Sequence, residues 1–234
     1  MRSIFLKPNE EFSEGEVFVL ADERSRHLIK SVRIKENEKI LLFDGRGNRY
    51  TGVIDSIEKK TINIKIISKA KTEKSGFLDL FIGLVKKDAL EDIIRMSVEL
   101  GLSKLFPLET QYSQRYGIDG DRLERIQESA IIQSNNPYKV QLKDISSLRN
   151  LKSEMDSYDH IFYFSSIGST IEKPIRAAKK VGIIIGPEGG FSQDEEVFLR
   201  ELQNISIVHL SVPIMRAPTA LCVATGYLYS KLTR

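Results

Sequence analysis

Tryptophan is absent from the 234-residue chain and cysteine occurs once, as Cys222. A single thiol forms no internal disulfide and offers no zinc-ligand spacing, which excludes a stapled secreted module and a structural zinc domain. A reducing, intracellular setting is the simplest expectation. Long apolar runs are missing too: no stretch approaches the roughly 18 residues that cross a bilayer. The opening Met1-Arg2-Ser3-Ile4-Phe5-Leu6-Lys7-Pro8 lacks a secretory core. No membrane partner is expected, and the protein is expected to be cytoplasmic. A strong excess of one charge is also lacking. With 35 Lys and Arg against 32 Asp and Glu, the chain cannot coat nucleic acid through bulk charge, so any polyanion must be met by a local patch. What is there is an ordinary globular composition, 41% hydrophobic and 29% charged, enough for one large core or two modest ones.

The first 68 residues read as strands: Glu16 to Leu20, Lys39 to Phe43, and the alternating Thr61-Ile62-Asn63-Ile64-Lys65-Ile66, separated by turn signals. One helix interrupts them, capped by Asp22, with Leu28, Ile29 and Val32 facing inward and Arg24, Arg26, Lys30 and Arg33 left largely for solvent. Asp44-Gly45-Arg46-Gly47-Asn48 is a hairpin connection, since glycines supply the positive torsions that tight reversals need. A small, mostly β barrel is expected over residues 1–70. The polar run 69–76 is the linker, and a second domain occupies 76–234. Residues 1–75 carry 16 basic against 12 acidic side chains, and the remainder 19 against 20. That surplus is either a solvated surface or a phosphate-contacting arm, and charge alone favours the former.

Beyond the linker, strands alternate with helices: strands at 77–84, 104–108, 160–164, 181–185 and 205–210, and helices near 88–100, 120–134, 170–179, 192–203 and 218–232. This is an α/β pattern with a mainly parallel sheet. Gly101 closes one helix, and Ser192 with Glu195 makes a capping box for another. In such sheets ligands collect beyond the carboxyl ends of the strands. There, 181–185 runs into Gly186-Pro187-Glu188-Gly189-Gly190-Phe191, a tight bend with exposed amides and one carboxylate. It is either a plain turn before a capped helix or a ligand loop, and it lacks both familiar phosphate-cradling signatures. The strand at 205–210 leads to Ser211-Val212-Pro213-Ile214-Met215-Arg216-Ala217-Pro218, which sets Arg216 just before a helix with Pro218 as its first residue. A guanidinium beside the positive end of a helix calls for an anion, either Glu188 or a substrate group, unless it is an ordinary surface arginine. The last helix is apolar nearly all round, so it is buried within the domain or shared with a second subunit. His27, His160 and His209 are scattered, give no metal-ligand spacing and are read as structural; no metal is expected.

These residues together resemble the RsmE family, methyltransferases acting on N3 of a uridine in small-subunit (16S) ribosomal RNA. The likeness rests on 186–192 followed by Leu210, Ile214-Met215-Arg216 and Thr219-Ala220. It extends to His27, Val32-Arg33, Phe43-Asp44-Gly45, Lys87-Asp88 with Glu91, Glu99-Leu100-Gly101 and Gln133-Ser134. The resemblance implies a PUA-like RNA-binding barrel followed by a SPOUT domain with a trefoil knot, and a homodimer. It implies S-adenosylmethionine in a cleft of knot loops, held by Ile185, Gly186, Pro187, Glu188, Gly189, Leu210, Ser211, Ile214 and Met215, with a third loop after 160–164. Arg216 would stabilise the anion developing on the uridine, and Glu188 would orient Arg216 or order the loop. Arg24, Arg26, Arg33, Arg49, Lys86 and Lys87 would contact phosphates of 16S rRNA, free or in the small ribosomal subunit.

The chain departs from the family's pattern in three places. Ala217-Pro218-Thr219 stands where Thr-Glu-Thr is usual, Gln111-Tyr112-Ser113 where Glu-Arg-Ser is usual, and Asn135-Asn136 where an arginine follows Gln-Ser. A working enzyme with compensating groups such as Arg115 accommodates these losses. The alternatives are a methyltransferase with a different RNA target, a non-catalytic RNA-binding SPOUT-like protein, and a small-molecule enzyme with a Gly-rich turn.

Overall fold

A computed structural model of the chain describes residues 2–74, 78–170 and 178–231. These form two compact units, Met1–Lys74 with Glu128–Lys139, and Ser75–Gln127 with Val140–Arg234.

In the first unit β1 (Arg2–Phe5), β2 (Val17–Leu20), β3 (Lys39–Phe43), β4 (Asn48–Ile57) and β5 (Ile62–Lys71) make a five-stranded sheet in the order β1-β3-β4-β5-β2. Alternation decides its faces: Ile40, Leu42, Tyr50, Ile54, Ile62, Ile64 and Ile66 turn into one core, which Leu28 closes. The β3–β4 turn forms as its glycines require, with Gly45 and Gly47 at φ of +72° and +101°. Asp44 Oδ1 accepts hydrogen bonds there from the Arg46 and Asn48 backbone N–H groups at 2.8 and 3.0 Å. Segment 128–139 joins this unit through hydrogen bonds from Gly47 N to Pro137 O at 2.9 Å and from the Tyr138 hydroxyl to Thr72 O at 2.5 Å. Neither composition nor turn signals around the linker point to it.

Helix α1 (Glu23–His27) is capped by Asp22 and continues as a π-helical turn, Leu28–Val32. Arg24 corrects the expectation of a solvent-facing charge. Its side chain is only 17% exposed, bonded to Asp22, Glu10 and the Phe5 carbonyl. With its donors committed inside the unit, it is not available for RNA phosphates.

The second unit holds β6 (Leu78–Gly83), α2 (Lys87–Glu99), β7 (Lys104–Glu109), the first half of α3 (Gly120–Ser134), β8 (Gln141–Leu142), β9 (Ser146–Ser147) and α4 (Lys152–Asp156). Then come β10 (His160–Ser169), β11 (Val181–Ile185), α5 (Gln193–Glu201), β12 (Ile205–Val208) and α6 (Ala217–Lys231). The sheet order is β12-β10-β11-β6-β7-β8, with β9 also on β7. All these pairings are parallel, as the α/β rhythm led one to expect. β6 and β11 are central and buried at every position; β11 reads as an unbroken apolar run, while β6 carries the buried Asp79, whose Oδ2 accepts from the Tyr158 hydroxyl at 2.5 Å. The helix expected at 170–179 falls mainly on residues outside those described. Beyond 160–164 there is no loop directly: β10 continues to Ser169, with an irregularity between Phe164 and Ser169 where it meets β12. β12 ends at Val208 rather than 210.

Helix α6 packs against α2, with the Tyr229 hydroxyl donating to Leu100 O at 2.7 Å and Leu221, Ala224, Thr225 and Leu228 turned inward. Pro218 is its second residue, not its first. Among the described residues no helix is long and apolar enough to cross a membrane.

Hydrogen bonding from Arg24 holds the Asp22 carboxyl well below the usual carboxylate range. A depressed folded pKa means that its stabilisation is complete above the unfolded value, about 3.9, and fades as pH falls through that range. Asp22→Ala should cost about 1–2 kcal/mol at pH 7. In urea unfolding at pH 7, 5 and 3, the gap between variant and parent should hold from 7 to 5 and narrow at 3; a gap that does not depend on pH would contradict the assignment.

Candidate functional site

The carboxyl ends of β10, β11 and β12 open into a cleft of about 570 Å³, within the range of small-ligand sites. One wall is the bend after β11. Gly190 N donates to Pro187 O at 2.9 Å, and the bend closes with Gly190 at a φ of +74°, a conformation that glycine alone adopts freely. Phe191 then turns inward against Tyr163, with ring centroids 5.4 Å apart. Ser192 caps α5 in the expected box with Glu195. The bend is seated directly on the end of β6, because a Cβ at Gly83 would collide with Pro187 Cδ and N.

The opposite wall comes from the segment after β12. Leu210, Val212, Pro213, Ile214 and Met215 present apolar surface, and Ile214 is 97% exposed. Arg216 sits at the rim, exposed, where the first turn of α6 begins with Ala220 N donating to Arg216 O at 2.9 Å. Its guanidinium has no hydrogen bond or ion pair to another described residue. Glu188 lines the same cleft but is engaged elsewhere: its Oε1 accepts from Lys86 N at 3.2 Å, tying the bend to the start of α2. Its charge and burial together raise the nearby Tyr116 phenol, burial being the larger cause.

Of the residues expected to hold a ligand, Ile185, Gly186, Pro187, Glu188, Leu210, Ile214 and Met215 line the cleft, together with Arg216. Gly189 and Ser211 do not. Gly189 backs onto Tyr112, and Ser211 is exposed outside the lining. The expected third wall after 160–164 is present as Ser165 and Ser166, though as part of β10 and not as a loop, whereas Tyr163, Phe164, Phe191, Glu196, His209 and Ala220 were not expected at the cleft. Tyr163 and Phe191 are apolar in pattern and read as core. Glu196 reads as a helix surface charge, yet its carboxylate accepts from the Tyr163 hydroxyl at 2.7 Å and from Arg200 at 3.0 Å. His209, read as structural, lines the cleft and keeps Nδ1 buried without a partner among the described residues. His160 is structural as read, with Nε2 and Ser206 Oγ 2.8 Å apart, and burial lowers its pKa.

Among the other expected contacts, Arg26, Arg33 and Arg49 are exposed in the first unit, and Lys86 and Lys87 in the second. Arg115 is exposed, 3.8 Å from Glu109.

A model of the RNA methyltransferase domain family matches residues 72–229, and one of the RNA methyltransferase PUA domain matches residues 20–67. A ribosomal RNA small subunit methyltransferase E from Rickettsia conorii is 26% identical over 224 residues, 92% of this chain and 91% of the relative. One from Helicobacter pylori is 29% identical over 192 residues, 80% of this chain and 81% of the relative. The crystal structure of a ribosomal RNA small subunit methyltransferase E from Neisseria gonorrhoeae bound to S-adenosyl methionine is 25% identical. It superposes with a TM-score of 0.82 over 98% of this chain and 97% of that one.

Since the bend rests on Gly83, Gly83→Ala should destabilise the fold by roughly 1–3 kcal/mol through overpacking. That corresponds to about 2–4 °C of Tm per kcal/mol for a chain of this size. Ligand affinity of the cleft should fall with it. Calorimetric melting checks this, and an unshifted Tm would mean that Pro187 yields freely.

Proposed function

Because the chain belongs to the RNA methyltransferase family whose model spans residues 72–229, we propose that it transfers a methyl group from S-adenosylmethionine to small-subunit ribosomal RNA, at N3 of a uridine. The observation that carries this reading is one cleft combining an apolar wall, a glycine bend and an arginine with no partner among the described residues. The residues suit the cofactor. Leu210, Ile214 and Met215 offer a surface for a flat purine, and Gly186 and Gly190 of the bend bring backbone close to the cleft without a side chain. When bound, S-adenosylmethionine supplies an electrophilic methyl on a positively charged sulfur.

The chain's own residues supply the rest. Methyl transfer needs the uridine nitrogen aligned behind the methyl carbon and stripped of its proton. Arg216, at the mouth of the cleft, stabilises the negative charge spread over the pyrimidine oxygens as that proton leaves. Glu188 acts at a distance, holding the backbone at Lys86 and so the spacing between the bend and α2. Phosphates are met by Arg26, Arg33 and Arg49 in one unit and by Lys86 and Lys87 in the other; Arg24 drops out of that set. The proposal includes a knotted path around the cleft, supported by β10 lying between β11 and β12. It also includes a cytoplasmic location and a homodimer, the latter supported by the partly exposed apolar side chain of Val223 on α6.

Mass spectrometry of ribosomal RNA from cells lacking the gene should show the loss of one N3-methyluridine; unchanged RNA would overturn the assignment. Arg216→Ala should slow single-turnover methyl transfer by about 100-fold or more while calorimetric cofactor affinity changes little. Equal loss of both would make Arg216 a folding residue. Arg26→Glu with Arg33→Glu should weaken RNA binding and flatten its salt dependence by roughly one to two units of log-log slope. An unaltered slope would remove the first unit from the RNA surface.

A further inference from the structure

Tyr112 is half-exposed, 49% accessible, on the turn that follows β7. A single exposed ring is ordinary at a protein surface; what distinguishes this one is how its turn is held. The turn is fixed from several sides. Thr110 N donates to Ser113 Oγ at 3.0 Å, Ser113 N to Thr110 O at 3.2 Å and Ser113 Oγ to Leu108 O at 3.0 Å. Gln114 N donates to Leu84 O at 2.9 Å, beyond the end of β6, and Gln111 N donates to Glu195 Oε1 at 2.9 Å. Glu195 is the same carboxylate that closes the capping box of α5. The presentation of Tyr112 is therefore built into the elements that carry the cleft.

Its position is equally specific. A Cβ on Gly189 would lie 2.8 Å from Tyr112 Cβ, so the bend and the tyrosine are in direct contact. Gly189 stands between Glu188 and Gly190, both of which line the cleft. The surroundings carry charges of both signs, with the carboxylates of Glu109, Glu188 and Glu195 beside two cations. Lys86, whose backbone N–H is held by Glu188, is exposed, and Arg115 lies three residues along the same segment with its side chain 83% exposed. An exposed ring on a hydrogen-bonded turn, with exposed Lys and Arg side chains on neighbouring segments, suits unpaired RNA: bases stack on the ring and phosphates meet the cations. A rim of charged side chains argues against an apolar protein partner at this spot, and the family to which the chain belongs acts on RNA.

We infer that Tyr112 is a stacking platform for an unpaired base of the RNA substrate, set on the outer side of the cofactor bend. The inference rests on the methyltransferase reading and deepens it. A base stacked there is held out of its helix next to the cleft, and Tyr112 adds grip without touching the cofactor. The stretch Gln111-Tyr112-Ser113, a departure from the family's usual Glu-Arg-Ser, then exchanges a charge for a ring at the RNA surface.

The experiment compares two hairpin RNAs, one with a loop of uridines and one with the same loop in 5,6-dihydrouridine, whose saturated ring is not flat and stacks poorly. Full-length protein should bind the uridine loop more tightly, by about fivefold to a hundredfold if one base stacks. Tyr112→Phe should keep this preference. Tyr112→Leu, which preserves the Cβ packed on Gly189, should abolish it while leaving calorimetric affinity for S-adenosylmethionine and the melting temperature unchanged. If Tyr112→Leu still discriminates between the loops, or weakens both equally, Tyr112 is not a platform. A parent protein that binds the cofactor and both loops equally would also overturn the inference and leave the methyltransferase reading intact. A parent that binds neither cofactor nor RNA would sink both.

Discussion

The site depends on one close approach. Pro187 occupies the space that a side chain at Gly83 would fill, which seats the bend after β11 on the end of β6. From that seat the other constraints follow in order. Gly190 reverses the chain, Phe191 drops into the core beside Tyr163, and Ser192 starts α5 with Glu195 three residues on. Glu195 in turn holds Gln111, and Glu188 holds the backbone of Lys86. Each contact is a single hydrogen bond or ring contact worth on the order of 1 kcal/mol, so none fixes the bend alone. Together they leave it little freedom, which is what a preorganised binding wall requires.

Much of this was legible in the sequence because the signals are local. Glycines at 186, 189 and 190, the Ser192–Glu195 box and the buried runs of β6 and β11 state their geometry in adjacent letters. So does the alternation of strands and helices, which gave the parallel sheet before any coordinate. What was not legible depends on distant partners. Arg24 looks like any exposed helix charge until Glu10 and the Phe5 carbonyl fold over it. Segment 128–139 covers the end of α3 and the residues just past it, and nothing near it announces that Tyr138 will fill the space over Gly47 in the first unit. The strand extension from Phe164 to Ser169 reads as a polar loop, because Ser165, Ser166, Gly168 and Ser169 lack strand propensity and only pairing with β12 orders the far end.

The same division explains the cleft. The two sequence-marked bends and the place of a third wall after 160–164 were found, whereas Tyr163, Phe191 and Glu196 were not, since their roles come from the faces they share across the sheet. His209 shows the limit most clearly. A lone histidine is usually a satisfied core residue, and here the backbone of His209 is indeed bonded to Ser169 O, yet its ring borders the cleft.

The arrangement of charges bears on how an imide proton is lost. Two carboxylates border the cleft, and both are already acceptors: Glu188 from Lys86 N, Glu196 from the Tyr163 hydroxyl and from Arg200. A carboxylate is in any case a weak base for so weak an acid, by several units on the ordinary scale. In the proposed reaction the chain therefore works on the acid instead of the base. A guanidinium cannot deprotonate and has five donors in a fixed plane, so Arg216 makes the substrate's anion less costly and raises the fraction of imide already ionised in exchange with the solvent. On this view Pro218 brings no charge to the start of α6, and Arg216, without a partner among the described residues, keeps its donors open for the substrate.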